Sequence, residues 1–242
     1  MNEIFIVLCG TTHPGNVGAA ARAMKVMGLH SLVLVAPRCE IDATARARAS
    51  GALDVLDHAH IISTLDQALA GVGFVVGTST RPRRLGPELL PLRQGAAEFA
   101  RELGTGSCAV IFGPERTGLS TRALERCNRL WSIPTTPGYS SLNLAAAVQV
   151  VAYELHLALK RPQNVETLPV AADSEKVGAL CEHFERVARR IEFISADAPD
   201  SAWHRVRRLA RRTRLEPSEV KLLRGFLAAV ERATPVPPGR KE

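Results

Sequence analysis

Three short segments of the chain concentrate residue types that chemistry needs, and each follows an apolar run. The first is Thr11-Thr12-His13-Pro14-Gly15-Asn16-Val17-Gly18-Ala19-Ala20-Ala21-Arg22, after Ile4–Leu8. Its glycines permit tight turns, and a helix starting there could receive an anion at its N-terminus. Arg22 falls in the second turn of that helix as a permanent cation with a rigid fork of donors. The second segment is Ile111-Phe112-Gly113-Pro114-Glu115-Arg116-Thr117-Gly118-Leu119-Ser120, where Glu115 supplies a carboxylate. The third is Ile133-Pro134-Thr135-Thr136-Pro137-Gly138-Tyr139-Ser140-Ser141-Leu142-Asn143-Leu144, which runs into an Ala-rich helical pattern. Plainer readings exist for most of these residues. Gly15 and Gly18 fit simple turns, Arg22 a surface ion pair, and Ser140 or Ser141 a helix cap. Capping does not explain Asn143, which the pattern puts inside the first turn.

The elements that must position these segments alternate. Ile4–Leu8, Ser31–Val35, Phe74–Val76, Cys108–Phe112 and Leu130–Ile133 read as buried strands. Asn16–Met27, Gly95–Leu103, Ser120–Arg126 and Leu142–Leu159 read as helices. Alternation of this kind predicts an α/β fold with a parallel sheet. Ligands of such sheets bind beyond the carboxyl ends of the strands, where all three segments fall.

Past Leu159 the pattern changes. Residues 161–173 are polar and proline-rich and read as a linker. Asp173 and Ser174 can cap a helix whose apolar face is Val177, Leu180, Cys181, Phe184, Val187, Ala188 and Ile191. Val206, Leu209 and Ala210 suggest a second helix. Pro217 opens a third, with Val220, Leu223, Leu227 and Val230 on one side. The expected organisation is therefore a domain over 1–160, a linker over 161–173, a helical domain over 174–233 and a disordered tail over 234–242.

The chain has 242 residues, is 46% hydrophobic and carries a net charge of +7. That excess favours a polyanionic partner. Nine basic residues against three acidic ones lie between Ser201 and Arg232. Arg205, Arg207, Arg208, Arg211, Arg212 and Arg214 cluster there, a candidate phosphate-binding surface. Cys9, Cys39, Cys108, Cys127 and Cys181 are odd in number and scattered, so reduced thiols in a cytoplasmic protein are expected, with neither a disulfide frame nor a metal site. No basic n-region precedes Ile4, and no apolar run reaches the length of a membrane span, so neither a signal peptide nor a membrane partner is expected.

Together the three segments resemble the motifs of the SpoU/TrmH class of SPOUT RNA methyltransferases. NVGAAAR is similar to its N-x-G-x-x-x-R motif, IFGPERTGLS to its second motif with a Gly-x-Glu core, and IPTTPGYSSLNLAAAV to its third. HPGNVGAAARAMKVMGL, RASGALDVLD and SSLNLAAAVQVVAYEL resemble members that methylate a pyrimidine ribose at position 32 of the tRNA anticodon loop. Pro114-Glu115-Arg116-Thr117 departs from the Arg-Glu-Asp-Ser form of some of those members but keeps the glutamate.

The resemblance implies a parallel-sheet domain with a C-terminal trefoil knot, a small all-α C-terminal domain, and a homodimer whose active sites draw on both chains. It implies S-adenosylmethionine as cofactor, held by Thr78, Ser79, Thr80, Gly113, Ile133, Ser140, Ser141 and Leu142, and no metal. It assigns activation of the ribose 2'-hydroxyl to Arg22, with Asn16, Glu115, Ser141 and Asn143 holding the site in register. The basic helices would then grip tRNA. The alternatives are a 2'-O-methyltransferase for another tRNA or an rRNA site, a non-catalytic RNA-binding protein, and a nicotinamide oxidoreductase. The last lacks both the G-x-G-x-x-G spacing and an acid after Ser31–Val35, where Ala36-Pro37-Arg38 follows.

Overall fold

The computed structural model describes residues 2–80, 86–160, 170–193 and 201–234. Seven parallel strands form one sheet. They are β1 (Ile4–Cys9), β2 (Ser31–Val35), β3 (His60–Ile62), β4 (Phe74–Thr78), β5 (Glu88–Pro91), β6 (Cys108–Phe112) and β7 (Arg129–Ser132), in the order β3-β2-β1-β6-β4-β7-β5. Strands buried on both faces need apolar residues at every position, and Cys108–Phe112 is buried throughout. β3 and β5 escape the sequence pattern because they are short edge strands with exposed positions. Pro91 is tolerated at the end of β5 because an edge strand does not need every N–H.

Helices cover both faces. α1 (Pro14–Val26), α5 (Leu92–Leu103) and α7 (Leu144–Lys160) pack on one side, meeting Ile6, Leu8, Phe74, Val110 and Phe112. α4 (Leu65–Ala68) and α6 (Thr121–Leu124) lie on the other, over Val7, Val75 and Ile111. α2 (Ala43–Ala49) and α3 (Leu53–Asp57) follow β2, and α2 packs on α1. Gly18 permits that packing. It lies inside α1 rather than in a turn, and a Cβ there would stand 1.9 Å from the carbonyl oxygen of Ala45.

Two element boundaries differ from the expected ones and bear on the site. β7 ends at Ser132, which leaves Ile133 in the following loop. α7 starts at Leu144 rather than Leu142, so Asn143 precedes the helix.

α8 (Ser174–Arg190), α9 (Ser201–Arg212) and α10 (Pro217–Ala233) follow. Asp173 caps α8 by accepting from the N–H of Lys176. Val177, Leu180, Cys181, Val187, Val220 and Leu227 form a small core of their own, while Leu223, expected on the buried side of α10, is 40% exposed. Of the expected linker, 161–169 lies outside the described residues. Ala172 is buried in the helical core and bonded to Leu215, so the end of that stretch belongs with the helices. Thr234 still bonds back to Val230, and 235–242 lies outside the described residues.

The helices are fastened to the sheet by the arginines expected to meet phosphate. Arg211 is 5% exposed and donates to the hydroxyl and carbonyl of Ser174, whose own N–H reaches Val72. Its carbonyl accepts from Asn128, which also pairs with Val75. Arg207 spans Glu125 and Glu185, and Arg214 pairs with the buried Glu102 at 2.6 Å. These three are therefore structural contacts. Arg205 and Arg212 are exposed and Arg208 half-exposed, with no acidic partner among the described residues.

Two stability predictions follow from these contacts. Gly18→Ala should lower the unfolding free energy by about 1–3 kcal/mol in urea denaturation, because the facing group is backbone; unchanged stability would discount the close α1–α2 approach. Burial pushes the Glu102 carboxyl up, and Arg214 opposes that. A carboxyl whose folded pKa exceeds its unfolded value of about 4.3 destabilises the fold increasingly as pH rises past that value. Arg214→Ala should therefore cost more stability at pH 8 than at pH 5, whereas equal losses would show that Glu102 does not depend on its cation.

Candidate active site

The chain order reverses between β1 and β6, and the loops beyond these strands meet there. Asn143 accepts from the N–H groups of Ala145 and Ala146, which makes it the cap of α7. Its amide donates to the side-chain carbonyl of Asn16 at 2.9 Å. The amide of Asn16 donates in turn to Glu115, also at 2.9 Å. Glu115 further accepts from the N–H and hydroxyl of Thr12. Every donor in this chain points toward the carboxylate. Burial pushes the Glu115 carboxyl up, but the bonds from Asn16 and Thr12 outweigh it and hold the group below the usual carboxylate range.

This geometry explains why asparagine stands at both positions. Each must accept on one side and donate on the other, which an amide does and a carboxylate cannot. It also assigns Asn143 the role that capping by Ser140 or Ser141 had left unexplained.

Beside the chain lies a cavity of about 440 Å³. Thr78, Ser79 and Thr80 line it at the end of β4, Gly113 to Leu119 after β6, and Ile133 with Ser140, Ser141 and Leu142 after β7. All eight residues expected to hold the cofactor are thus in one cavity, with Glu115 at its edge. The volume lies within the roughly 300–1,000 Å³ of small-molecule sites. Gly113 lets the loop after β6 fold closely on itself, since a Cβ there would meet the carbonyl carbon of Gly118 at 2.2 Å. The lining mixes hydroxyls and peptide groups with Leu119, Ile133, Leu142 and Trp131. A nucleoside with a cationic sulfur fits this donor set, because the apolar walls suit the base, the hydroxyls suit the polar groups, and the ionised Glu115 suits the charge.

Arg22 is not part of this cluster. It is exposed, lies outside the cavity lining, and has no acidic partner among the described residues. Val26 on α1 and Tyr153 on α7 are exposed as well, at 65% and 46%.

A family model described as the SpoU rRNA methylase family matches residues 3–153. The chain belongs to the SpoU methylase family. A second model, the C-terminal domain of the tRNA methyltransferase TrmJ, matches residues 175–238. The tRNA (cytidine/uridine-2'-O-)-methyltransferase TrmJ of Escherichia coli strain K12 is 42% identical over 239 residues, covering 96% of both chains. The enzyme of the same name from Photorhabdus laumondii is 41% identical over 239 residues, 96% of this chain and 98% of that one. Among solved structures, TrmJ from Z. mobilis ZM4 superposes with a TM-score of 0.82 at 31% identity, over 96% of this chain and 100% of that one. A probable methylase family protein from Haemophilus influenzae gives 0.63 at 36%, over 96% and 97%.

Within this SpoU family member the motif residues divide by task. Asn16, Glu115 and Asn143 tie the start of α1 to the loops after β6 and β7, Gly18 sets the packing of α1, and Ser140 and Ser141 are exposed in the cavity lining. Thr12 belongs to the network but does not stand out in the sequence, where its hydroxyl is one of many. Asn16→Asp would place a second carboxylate against Glu115, and like charges at that distance cannot both ionise cheaply. The Glu115 carboxyl, followed by NMR titration, should then shift from below to above its usual range; an unmoved titration would mean that Asn16 does not hold the charge.

Proposed function

We propose that this chain transfers a methyl group from S-adenosylmethionine to the ribose 2'-hydroxyl of a cytidine or uridine at position 32 of the tRNA anticodon loop, acting as a cytoplasmic homodimer. The observation that carries the reading is the Asn143–Asn16–Glu115 chain set against a nucleoside-sized cavity beyond the strand ends. The TrmJ relatives, alike over nearly the full chain, support tRNA and the two pyrimidines. No described helix is long and apolar enough to cross a membrane. The placement of β7 between β4 and β5, two earlier strands, supports a knotted path for the segment that follows it.

The cofactor supplies an electrophilic methyl on a sulfonium. Thr78, Ser79, Thr80, Gly113, Ile133, Ser140, Ser141 and Leu142 would hold it in the cavity they line. Glu115 places a negative charge beside it, and Asn16 and Asn143 keep that charge fixed. The ribose hydroxyl is a poor nucleophile and must lose proton character as the bond forms. Arg22 stays protonated, so it orients the hydroxyl and stabilises the developing negative charge, while an RNA phosphate accepts the proton.

Arg22 is exposed and outside the lining of its own cavity, so it serves the cavity of a second copy. The exposed Val26, one turn further along α1, and Tyr153 on the adjacent α7 suit burial in that contact. We assign residues 1–160 to the catalytic domain and the helices from Ser174 to Ala233 to tRNA binding. Arg205, Arg208 and Arg212 remain as candidate phosphate contacts, and Arg207, Arg211 and Arg214 hold the helices in place.

Tritiated-methyl transfer to bulk unmodified tRNA, with mapping of the modified nucleotide, tests the activity and the position together. A non-catalytic RNA-binding protein would transfer nothing, and an rRNA enzyme would modify only rRNA. Arg22→Ala should lose about 10² or more in rate while cofactor affinity stays near that of the parent. Activity near the parent's would remove Arg22 from the mechanism.

A further inference from the structure

α10 turns Val220 and Leu227 into the helical core but leaves the opposite side open. Leu222 is 72% exposed and Phe226, one turn on, 66% exposed. Isolated apolar residues on a surface are ordinary, but a contiguous apolar ridge marks an interaction site. Gly225 lies beside this ridge in the middle of the helix, where glycine is a poor helix former. A Cβ there would meet nothing within 4 Å, so no packing contact inside the chain requires its absence. Its lack of a side chain leaves a flat spot against which a partner can lie close.

The exposed charges of this helix that no hydrogen bond or ion pair engages among the described residues are of one sign. Lys221, Arg224 and Arg232 are exposed, with no acidic partner among the described residues. The acids are already engaged. Glu216 and Glu219 form the capping box at the start of α10, and Glu231 binds Arg186 and His183. A second copy docking symmetrically would bring the same patch onto itself and so set these cations against each other. A partner with flat apolar faces and negative charges fits both parts of the surface, and unpaired RNA has that chemistry. Its bases stack on aromatic and apolar side chains while cations track its phosphates.

We propose that the solvent face of α10, with Leu222 and Phe226 as platform and Lys221 and Arg232 at its flank, stacks unpaired bases of the RNA substrate. The surface lies apart from the cavity and adds affinity and orientation rather than chemistry. This inference rests on the reading of the chain as an RNA methyltransferase.

Full-length Leu222→Ala/Phe226→Ala protein tests it, with tRNA binding measured at several salt concentrations. Both side chains are exposed, so the fold should persist. Affinity should fall by on the order of tenfold or more, because stacking is lost. The slope of log affinity against log salt should match the parent's, because no phosphate contact is removed. Lys221→Gln/Arg232→Gln should instead flatten that slope. Both tryptophans of the parent are buried, so Phe226→Trp adds an exposed indole, and its emission should be quenched when tRNA binds. Unchanged affinity in the double variant, or an indole indifferent to tRNA, overturns the proposal. A loss accompanied by a fall in mass by light scattering overturns it in favour of a contact between copies. The parent's methyl transfer to tRNA, assayed alongside, separates the two levels. Its absence would defeat the methyltransferase reading, and its presence with unaffected binding in the variant would defeat the stacking platform alone.

Discussion

Glu115 is the negative end of a run of hydrogen bonds that begins at the N-terminus of α7. The helix N–H groups donate to Asn143, Asn143 to Asn16, and Asn16 to Glu115, with Thr12 adding its own donors. Bonds aligned in one direction polarise one another, and their combined donors can hold a partly buried carboxylate ionised. Asn16 in the first turn of α1 stands 99 positions from Glu115 and 127 from Asn143, both in loops. Their spatial relation depends on the parallel sheet that brings the ends of β1 and β6 together and on α1 and α7 packed side by side. A site of this kind needs rigid supports, because a shift in any one loop breaks the whole series of bonds.

Those supports are visible in the packing. Gly18 draws α1 onto α2, Gly113 lets the loop after β6 close on Gly118, and Gly95 makes room for the indole of Trp131, whose Nε1 would otherwise stand 2.0 Å from a Cβ. The small residues of the motifs thus act mostly as packing devices and only secondarily as turn formers. Buried thiols play no chemical part. Burial pushes Cys9 up to about 11 and raises Cys108, Cys127 and Cys181 as well, which disfavours the thiolate form. On the far side of the sheet, buried and paired arginines play the matching role, joining the helices to the strand ends opposite the cavity.

Much of this was legible in the sequence, for identifiable reasons. Apolar runs bounded by polar loops located the five central strands. The side chains expected around the cofactor all reached one cavity, since each follows a strand. Edge strands β3 and β5 were missed because partial exposure removes the apolar signal. The two-residue error at the start of α7 hid the cap at Asn143, because Leu142 continues the apolar pattern without being helical. The largest departure concerned charge. Six arginines in ten residues read as a phosphate surface, yet Arg207, Arg211 and Arg214 turn inward. Their partners Glu125, Ser174 and Glu102 lie 82, 37 and 112 positions away or are fixed only by the fold, and no local pattern reveals such pairings. Equally, nothing in the spacing of Asn16 and Arg22 tells that one joins the hydrogen-bond chain to Glu115 and the other does not.

The separation of Arg22 from the Asn143–Asn16–Glu115 chain is what carries the proposal that a second copy completes each site. Mixing Arg22→Ala chains with Asn143→Ala chains, each inactive alone, tests it most directly. In a mixed dimer one cavity would keep Asn143 and receive an intact Arg22 from the neighbouring chain. Random exchange of equal amounts should therefore restore about a quarter of the parent's methyl transfer to tRNA, from one working site in half of the dimers. No recovery, in a mixture whose chains demonstrably exchange, would contradict a shared site and place Arg22 and Asn143 in the service of the same chain.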